Sequence, residues 1–504
     1  MGTQQDAAVT GDYLLARGRP DDVAIVDGGR SFSYGELHAA AGRLVAELAA
    51  LGLPRGAHVG IVGPNSFFWV AAYLAATKAY VAVPLPAQLS AAELAQQTRL
   101  ADCDVVLMDR RQPQTHHHAL AGRLPVVTDE VLYDGGPSSW PDDDPVDPDA
   151  DAALMFTSGT TSTPKAVRVT HRNIRANTES IIGYLELRRD DRMLVILPFS
   201  YCFGLSLLHT HLRIGGSLAL CNGFTFPETA VDMIERERCT GLAGVPSAFQ
   251  LLLRASSFAS RDLPSLRMVQ QAGGELPPAL VDQLLAARCG ARLFVMYGQT
   301  EATARLSYLP PEQLRRKRGS IGRGIPGVEL RVVDDHGNPV PPGVTGEIVA
   351  RGANVSPGYY QDPEATARKF PGDELRTGDL AVVDPDGYIF LVDRVEDFVK
   401  PWGLRVSNQE IESCALLIDD LVSAAAVGIP DPEAGEAVAL AVTVRPGSPV
   451  GPDEVLAHLR RSLDRRKLPR SVHLLGSLPL TPNGKVSKSL LRELLMSSPL
   501  GTGP

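Results

Sequence analysis

The chain has 504 residues, 44% of them hydrophobic and 21% charged, and a formal net charge of −9. That composition allows a large core, and the length exceeds the ~250–300 residues at which single cores stop growing, so more than one domain is expected. The acidic balance argues against a nucleic-acid-binding surface, and no apolar run reaches the ~18 residues of a membrane span.

Taken in chain order, the N-terminal MGTQQDAAVTGDYLL has neither a basic leader nor a long apolar core, so no secretory signal is expected there. The stretch ELHAAAGRLVAELAALG (36–52) predicts an amphipathic helix ended by glycine, AHVGIVGP (57–64) a short buried strand, and FFWVAAYLAATKAY (67–80) the next helix. His116, His117 and His118 lie in a polar stretch without flanking carboxylates, which predicts a solvated loop and no metal site. The acidic, proline-rich SSWPDDDPVDPDAD (138–151) reads as a loop. Strand-like RMLVILP, GGSLALC and ARLFVMYG then recur between helices, the mark of βαβ units and covered parallel sheets. From about residue 320, turn sequences such as DDHGNPVPPG and DPDGY separate short strands, which predicts a more antiparallel β-subdomain. A smaller α+β segment follows Arg394. Cys103, Cys202, Cys221, Cys239, Cys289 and Cys414 are scattered with no C-x-x-C pair, the pattern of reduced thiols in a cytoplasmic protein.

The segment FTSGTTSTPKAV (156–167) carries the first chemistry. Small residues let backbone N–H groups crowd around phosphate oxygens, hydroxyls add donors, and Lys165 adds a fixed positive charge. It is not a Walker A loop, because Pro164 precedes the lysine and Ala166 follows it. Three further segments supply what a nucleotide needs. MYGQTEAT (296–303) offers Tyr297, Gly298, Thr300 and the carboxylate of Glu301, while RTGDLAVVDPDGYIFLVDR (376–394) offers Asp379 and ends on Arg394. LPLTPNGKVSKSLL (478–491) presents Lys485 on an Asn-Gly turn.

In their order and spacing these segments, with SFSYGEL (31–37), GEIVARGANVSPGYYQDPEAT (346–366) and AAAVGIPDPEAGEAVALAVTV (424–444), resemble the adenylate-forming superfamily, and acyl-CoA synthetases in particular. The resemblance implies an α/β fold. It would have a large N-terminal domain (1–394) of stacked, mostly parallel sheets flanked by helices with a smaller β-subdomain, and a small mobile α+β C-terminal domain (395–504). The hinge between them would lie near Glu396.

The same resemblance implies ATP, Mg²⁺ and CoA as cofactors and a small-molecule carboxylic acid as substrate. It assigns Thr157, Ser158, Gly159, Thr160, Thr161 and Lys165 to the ATP phosphates. Gly273, Gly274, Glu275, Tyr297, Gly298 and Gln299 go to the adenine side, Thr300 to the α-phosphate, Glu301 to Mg²⁺, and Asp379 with Arg394 to the ribose. Lys485 would bridge the attacking carboxylate and the α-phosphate. Tyr201, Phe203, Gly204, Val245 and Gly298 would line the acid pocket, and Trp402, Gly403 and Arg405 the thiol channel. Amino-acid-activating relatives usually place an Asp in the segment corresponding to LPFSYCFGLSLL (197–208), which has no carboxylate here. A buried ammonium would lack a partner there, so a hydrophobic non-amino acid is expected.

The pattern departs from the family's at Ser162 and Ala166, where glycine is usual, and at Pro401 and Trp402, where small residues are. Restricted phosphate-loop backbone and an indole near the thiol channel are the expected consequences. The alternatives are loading of an acyl carrier protein in place of CoA, an enzyme confined to one half-reaction, and a nucleotide-binding pseudoenzyme. The clusters Arg315–Arg318 and Arg460–Arg466 are solvated faces or contacts for an acidic carrier or CoA phosphates.

Overall fold

The computed structural model describes residues 9–497 apart from 134–135, 137, 142–145, 158–163, 225, 395–397, 404–405, 446 and 482–483. Its first helix-strand pairs form where the periodicity places them. The helix Tyr34–Ala50 opens with a capping box, in which the Glu36 N–H donates to Ser33 Oγ and the Ser33 N–H to Glu36 Oε2. The helix Phe67–Ala79 is apolar all round and accordingly sits inside the core, with Trp69 and Tyr73 fully buried.

Two large sheets share that core. One runs in the order Val126–Thr128, Val105–Met108, His58–Val62, Val81–Leu85, Asp151–Phe156 and Ala166–Thr170, parallel except for its last pair. The other contains a parallel run of Val23–Asp27, Ser217–Leu220, Arg192–Val195, Gly241–Gly244, Met268–Gln271 and Arg292–Tyr297. The predicted antiparallel strands continue this same sheet. Ser307–Leu309 pairs onto Tyr297's strand and Ser320–Gly324 onto Ser307–Leu309, and Ile389–Arg394, Leu375–Val383, Gly346–Gly352 and Val328–Val333 follow.

Toward the C-terminus, Leu421–Asp431 and Gly435–Val444 form a long hairpin joined in parallel by Ser471–Leu474. Helices Asn408–Ala415, Pro452–Ser462 and Lys488–Ser497 accompany it. Its core of Val406, Ile411, Leu421, Leu440, Val455 and Leu459 is separate from the larger one.

The histidine stretch corrects the loop expected there. Residues Gln114–Leu120 are helical, and His116 is buried with Nε2 2.7 Å from the Leu89 carbonyl. The polar neighbours Gln114, Thr115 and His118 face water, and His116, the third residue of the helix, turns inward. Among the described residues no group of three or more His, Cys, Asp or Glu side chains is placed to hold a metal.

Candidate active site

Thr157 and Lys165 are the described ends of the hydroxyl-rich loop, whose residues 158–163 (Ser158, Gly159, Thr160, Thr161 and Ser162 among them) lie outside the described residues. The loop closes the antiparallel pair Asp151–Phe156 and Ala166–Thr170, and the Thr157 N–H donates to the Lys165 carbonyl at 3.0 Å. Ala166 is therefore a strand residue opposite Phe156, its carbonyl accepting from the Tyr360 N–H. The restriction expected from Ala166 does not arise, because extended backbone suits alanine.

The Lys165 Nζ stands 4.9 Å over the Tyr359 ring and 3.7 Å from Asp362. Tyr359 in turn donates its phenol proton to Glu301 Oε1 at 2.8 Å. Burial and the facing Glu301 carboxylate both push the Tyr359 phenol upward, so it remains a donor. Glu301 belongs to the short turn Thr300–Ala302, and its carbonyl accepts from the Ser356 N–H at 2.9 Å. One segment, 354–362, thus fixes the carboxylate and faces the phosphate-loop lysine. The reading of the sequence missed Tyr359, although it lies within the quoted GYYQDP. Thr300 Oγ1 points to Cys202 Sγ at 3.5 Å, and burial pushes that thiol up.

Tyr297 ends the strand Arg292–Tyr297 and donates to Asp379 Oδ2 at 2.5 Å. Asp379 is buried on the strand Leu375–Val383 and faces Arg394 in register, whose side chain lies outside the described ones. Gly273 has φ +87°, and a Cβ there would fall 2.7 Å from Tyr201 Oη and 3.4 Å from Lys485 Cε. Only glycine meets both demands, the left-handed backbone and the close approach.

Lys485 arrives at this point from the C-terminal part of the chain. The turn that carries it is closed by the Gly484 N–H donating to Thr481, and Ser247 Oγ donates to the Gly484 carbonyl at 2.7 Å. Lys485 Nζ stands 5.6 Å from the Tyr201 ring centroid. Between these groups lies a cavity of about 950 Å³, lined by Val245, Gly273, Tyr297, Gly298, Asp379 and Lys485 among others; Gly274 and Glu275 also border it.

Three members of the expected acid pocket are not among the described residues lining the cavity. Tyr201 is buried with its ring beside Lys485, and the helix Cys202–Ile214 turns Phe203 and Gly204 back into the core. A Cβ at Gly204 would lie 2.1 Å from the Pro198 carbonyl oxygen, so this glycine serves close packing. Gln299 precedes the Thr300 turn, and its Nε2 has no partner among the described residues.

Trp402 is 74% exposed in the turn Pro401–Gly403, with left-handed backbone (φ 55°), and does not border the cavity. The turn is pinned to the far hairpin by the Trp402 N–H donating to Ala434, so the indole does not project into the cavity as expected. Arg405 and Glu396 lie outside the described residues. Of the basic clusters, Lys317 is held by Asp384 and Asp386, Arg318 by Asp282, and Arg466 by Asp464.

A tyrosine–aspartate pair, a glycine cradle and a lysine meeting it from a turn of the C-terminal part of the chain define a nucleotide-activating enzyme. Residues 15–360 match the AMP-binding enzyme family and residues 410–485 the AMP-binding enzyme C-terminal domain. The chain belongs to this family of adenylate-forming enzymes. It is 34% identical over 481 residues to feruloyl-CoA synthase of an Amycolatopsis species, across 95% of this chain and 97% of that one. It is 32% identical over 491 residues to the indoleacetate–CoA ligase of Aromatoleum aromaticum, across 94% and 96%. The fold matches ATP-bound MatB from Rhodopseudomonas palustris with a TM-score of 0.87 at 28% identity, covering 97% of this chain and 99% of the other.

Proposed function

We propose that this enzyme is an ATP-dependent acid–CoA ligase. It condenses a hydrophobic, non-amino carboxylic acid with ATP to an acyl-adenylate and pyrophosphate, then passes the acyl group to the CoA thiol and releases AMP. The observation that carries this reading is that Lys485, beside the ring of Tyr201, lines one cavity together with Gly273, Tyr297 and Asp379.

A carboxylate attacking a phosphate is a meeting of anions, so the chain's task is to place cations and donors where charge develops. In this reading Lys485 donates to the attacking carboxylate and to an α-phosphate oxygen, and Thr300 donates to that same phosphate. Residues 157–161 and Lys165 hold the outer phosphates. The ring of Tyr297 stacks on adenine while Asp379 accepts from the ribose hydroxyls. Magnesium, when bound, neutralises phosphate charge. Glu301 fits it, since such an ion is usually held by one or two protein carboxylates with phosphate oxygens and water.

The proposed division places residues 1–394 in one domain and 395–504 in the other. Thioester formation then requires a rotation near Glu396 that carries Trp402, Gly403 and Arg405 to the cavity in place of Lys485. Both named relatives act with CoA, which favours CoA over a carrier-protein thiol as acceptor. No described helix is long and apolar enough to cross a membrane, and the six cysteines are free, which supports a cytoplasmic location.

The test is acid-dependent ATP–pyrophosphate exchange over fatty, aryl and polycyclic acids, followed by CoA-dependent AMP release. Exchange confined to one acid class is expected; no exchange with any acid, from protein that binds ATP, would sink the reading. A related expectation concerns Tyr359→Phe. Loss of a hydrogen bond to a charged group costs about 1.5–3 kcal/mol, so exchange should fall roughly 10- to 150-fold, with the half-saturating Mg²⁺ concentration raised. An unchanged Mg²⁺ dependence would remove Tyr359 from the metal side of the site.

A further inference from the structure

The helix Pro246–Ala255 borders the cavity and has two faces. Phe249 and Leu252 are buried in the core. Ser247, Leu251 and Arg254, spaced i, i+4 and i+7, form a second stripe along the same helix. Ser247 and Leu251 line the cavity, and Asn408, Glu412, Leu416 and Ala424 of the C-terminal part line it too. Both ends of the stripe hydrogen-bond to that part of the chain. Ser247 Oγ, in the first turn, donates to the Gly484 carbonyl, one residue before Lys485. In the last turn, Arg254 Nη1 donates to the Asp419 carbonyl and stands 3.8 Å from Asp419 Oδ1. An arginine at a helix end ordinarily lies over the carbonyls of its own last turn. This one crosses to a segment 165 positions away, and its side chain is 5% exposed. Burial and the neighbouring Arg445 press its pKa down, against the pull of Asp419 and Asp420.

The segment that Arg254 holds is itself fastened to the sheet behind it. The Asp420 carbonyl accepts from the Arg445 N–H at 3.0 Å, and Asp420 Oδ2 from Ser448 Oγ at 2.9 Å. The strand Leu421–Asp431 follows at once and pairs along its length with Gly435–Val444. Val486, next to Lys485, packs on a cluster that includes Val427 and Ala439 of these two strands. A hold on Asp419 is therefore a hold on the turn that carries Lys485.

We propose that Arg254 is a positioning residue for adenylation: its bond to the Asp419 carbonyl, with Ser247 at the other end of the helix, keeps the C-terminal part where Lys485 enters the cavity. The bond must break before thioester formation. This rests on the ligase reading and on the rotation proposed with it. When the bond breaks, both groups return to water, so its net worth is about tenfold in the balance between the two positions. That favours the adenylating position and can still be undone in each turnover.

The experiment measures the two half-reactions separately in the full chain, using the acid of the panel above that exchanges fastest. One assay is ATP–pyrophosphate exchange, and the other is thioester formation from the synthetic adenylate of that acid and CoA. Arg254→Gln should lower kcat for exchange about tenfold with KM for ATP little moved, while thioester formation holds or quickens. Arg254→Lys should keep part of the exchange. In a Lys485→Ala background, Arg254→Gln should cost nothing further, because the arginine acts through the lysine. A purely structural role would lower both half-reactions alike and add its loss to that of Lys485→Ala. If the glutamine variant does not fold, Arg254→Lys carries the same comparison of half-reactions. Exchange at the unaltered rate, equal loss in both half-reactions, or a loss additive with Lys485→Ala overturns the inference and leaves adenylation standing. Exchange with no acid of the panel, from protein that binds ATP, overturns the ligase reading and this inference with it.

Discussion

Lys485→Ala should lower acid-dependent ATP–pyrophosphate exchange about 10²- to 10³-fold, the roughly 3–4 kcal/mol that one preorganised donor to a developing charge is worth. A Cβ at Gly273 would fall 3.4 Å from Lys485 Cε, and Val245, Tyr297, Gly298 and Asp379 line the same cavity. Removing the amine should therefore cost transition-state charge stabilisation with little change in ATP affinity. The effect should fall on kcat, and KM for ATP should hold within a few-fold. Thioester formation from a supplied acyl-adenylate and CoA should be spared, since in the proposed rotation Lys485 leaves the site before that step. Exchange at the unaltered rate in Lys485→Ala would remove the lysine from the chemistry. Equal loss in both half-reactions would instead tie it to folding or to a step common to both.

The residues that could be read in advance are those whose role is carried by a short run of neighbours. Tyr297, Glu301 and Lys485 each sit in a segment whose turn or strand end presents them, and the alternation of apolar strands and helices announced the parallel sheets. Asp379 is a similar case, in a strand that also supplies Thr377 Oγ1 as acceptor for its own N–H. The residue that escaped depends on a distant pairing. Tyr359 matters through a carboxylate 58 positions away, which leaves no trace in local periodicity. Phe203 and Gly204 were placed in the pocket by the family resemblance, yet a helix beginning at Cys202 rotates them inward. His116 failed as a loop residue for a similar reason, since only the tertiary packing shows which face of a polar helix is covered. Pro401 and Trp402 were judged by the family's usual small residues. In the fold the turn is fastened to Ala434, away from the cavity, so its side chains bear on the chemistry only after a domain rotation.

Acidification should destabilise the fold well before the carboxylates titrate. His171, His209 and His211 are buried, and burial holds them neutral, with pKa values lowered from 6.5 to about 4, about 3 and about 4. For an imidazole whose folded pKa is depressed, the unfolded chain binds a proton that the folded one refuses. Stability is then complete above the unfolded pKa near 6.5 and falls as pH drops toward the folded value. At pH 5 each group should cost roughly 2 kcal/mol, from 1.36 kcal/mol per unit over about one and a half units. Carboxylates with lowered pKa values, such as Asp109 and Asp191, lose their contribution only as pH falls through and below their ordinary 3.8, so the window from 6.5 to 5 belongs to the histidines. Urea midpoints measured at pH 7.5 and 5.0 should therefore differ clearly; equal midpoints would contradict the buried neutral state. His209→Gln should flatten the slope, because the Tyr73 phenol oxygen lies 2.8 Å from Nε2 and glutamine can still hydrogen-bond it without taking up charge. Two of the three imidazoles, His209 and His211, ride on the helix Cys202–Ile214, whose first turn carries Cys202 beside Thr300 and Phe203 beneath Arg305. Protonation of that helix should loosen the wall of the active site first, so activity should fall on acidification ahead of global unfolding.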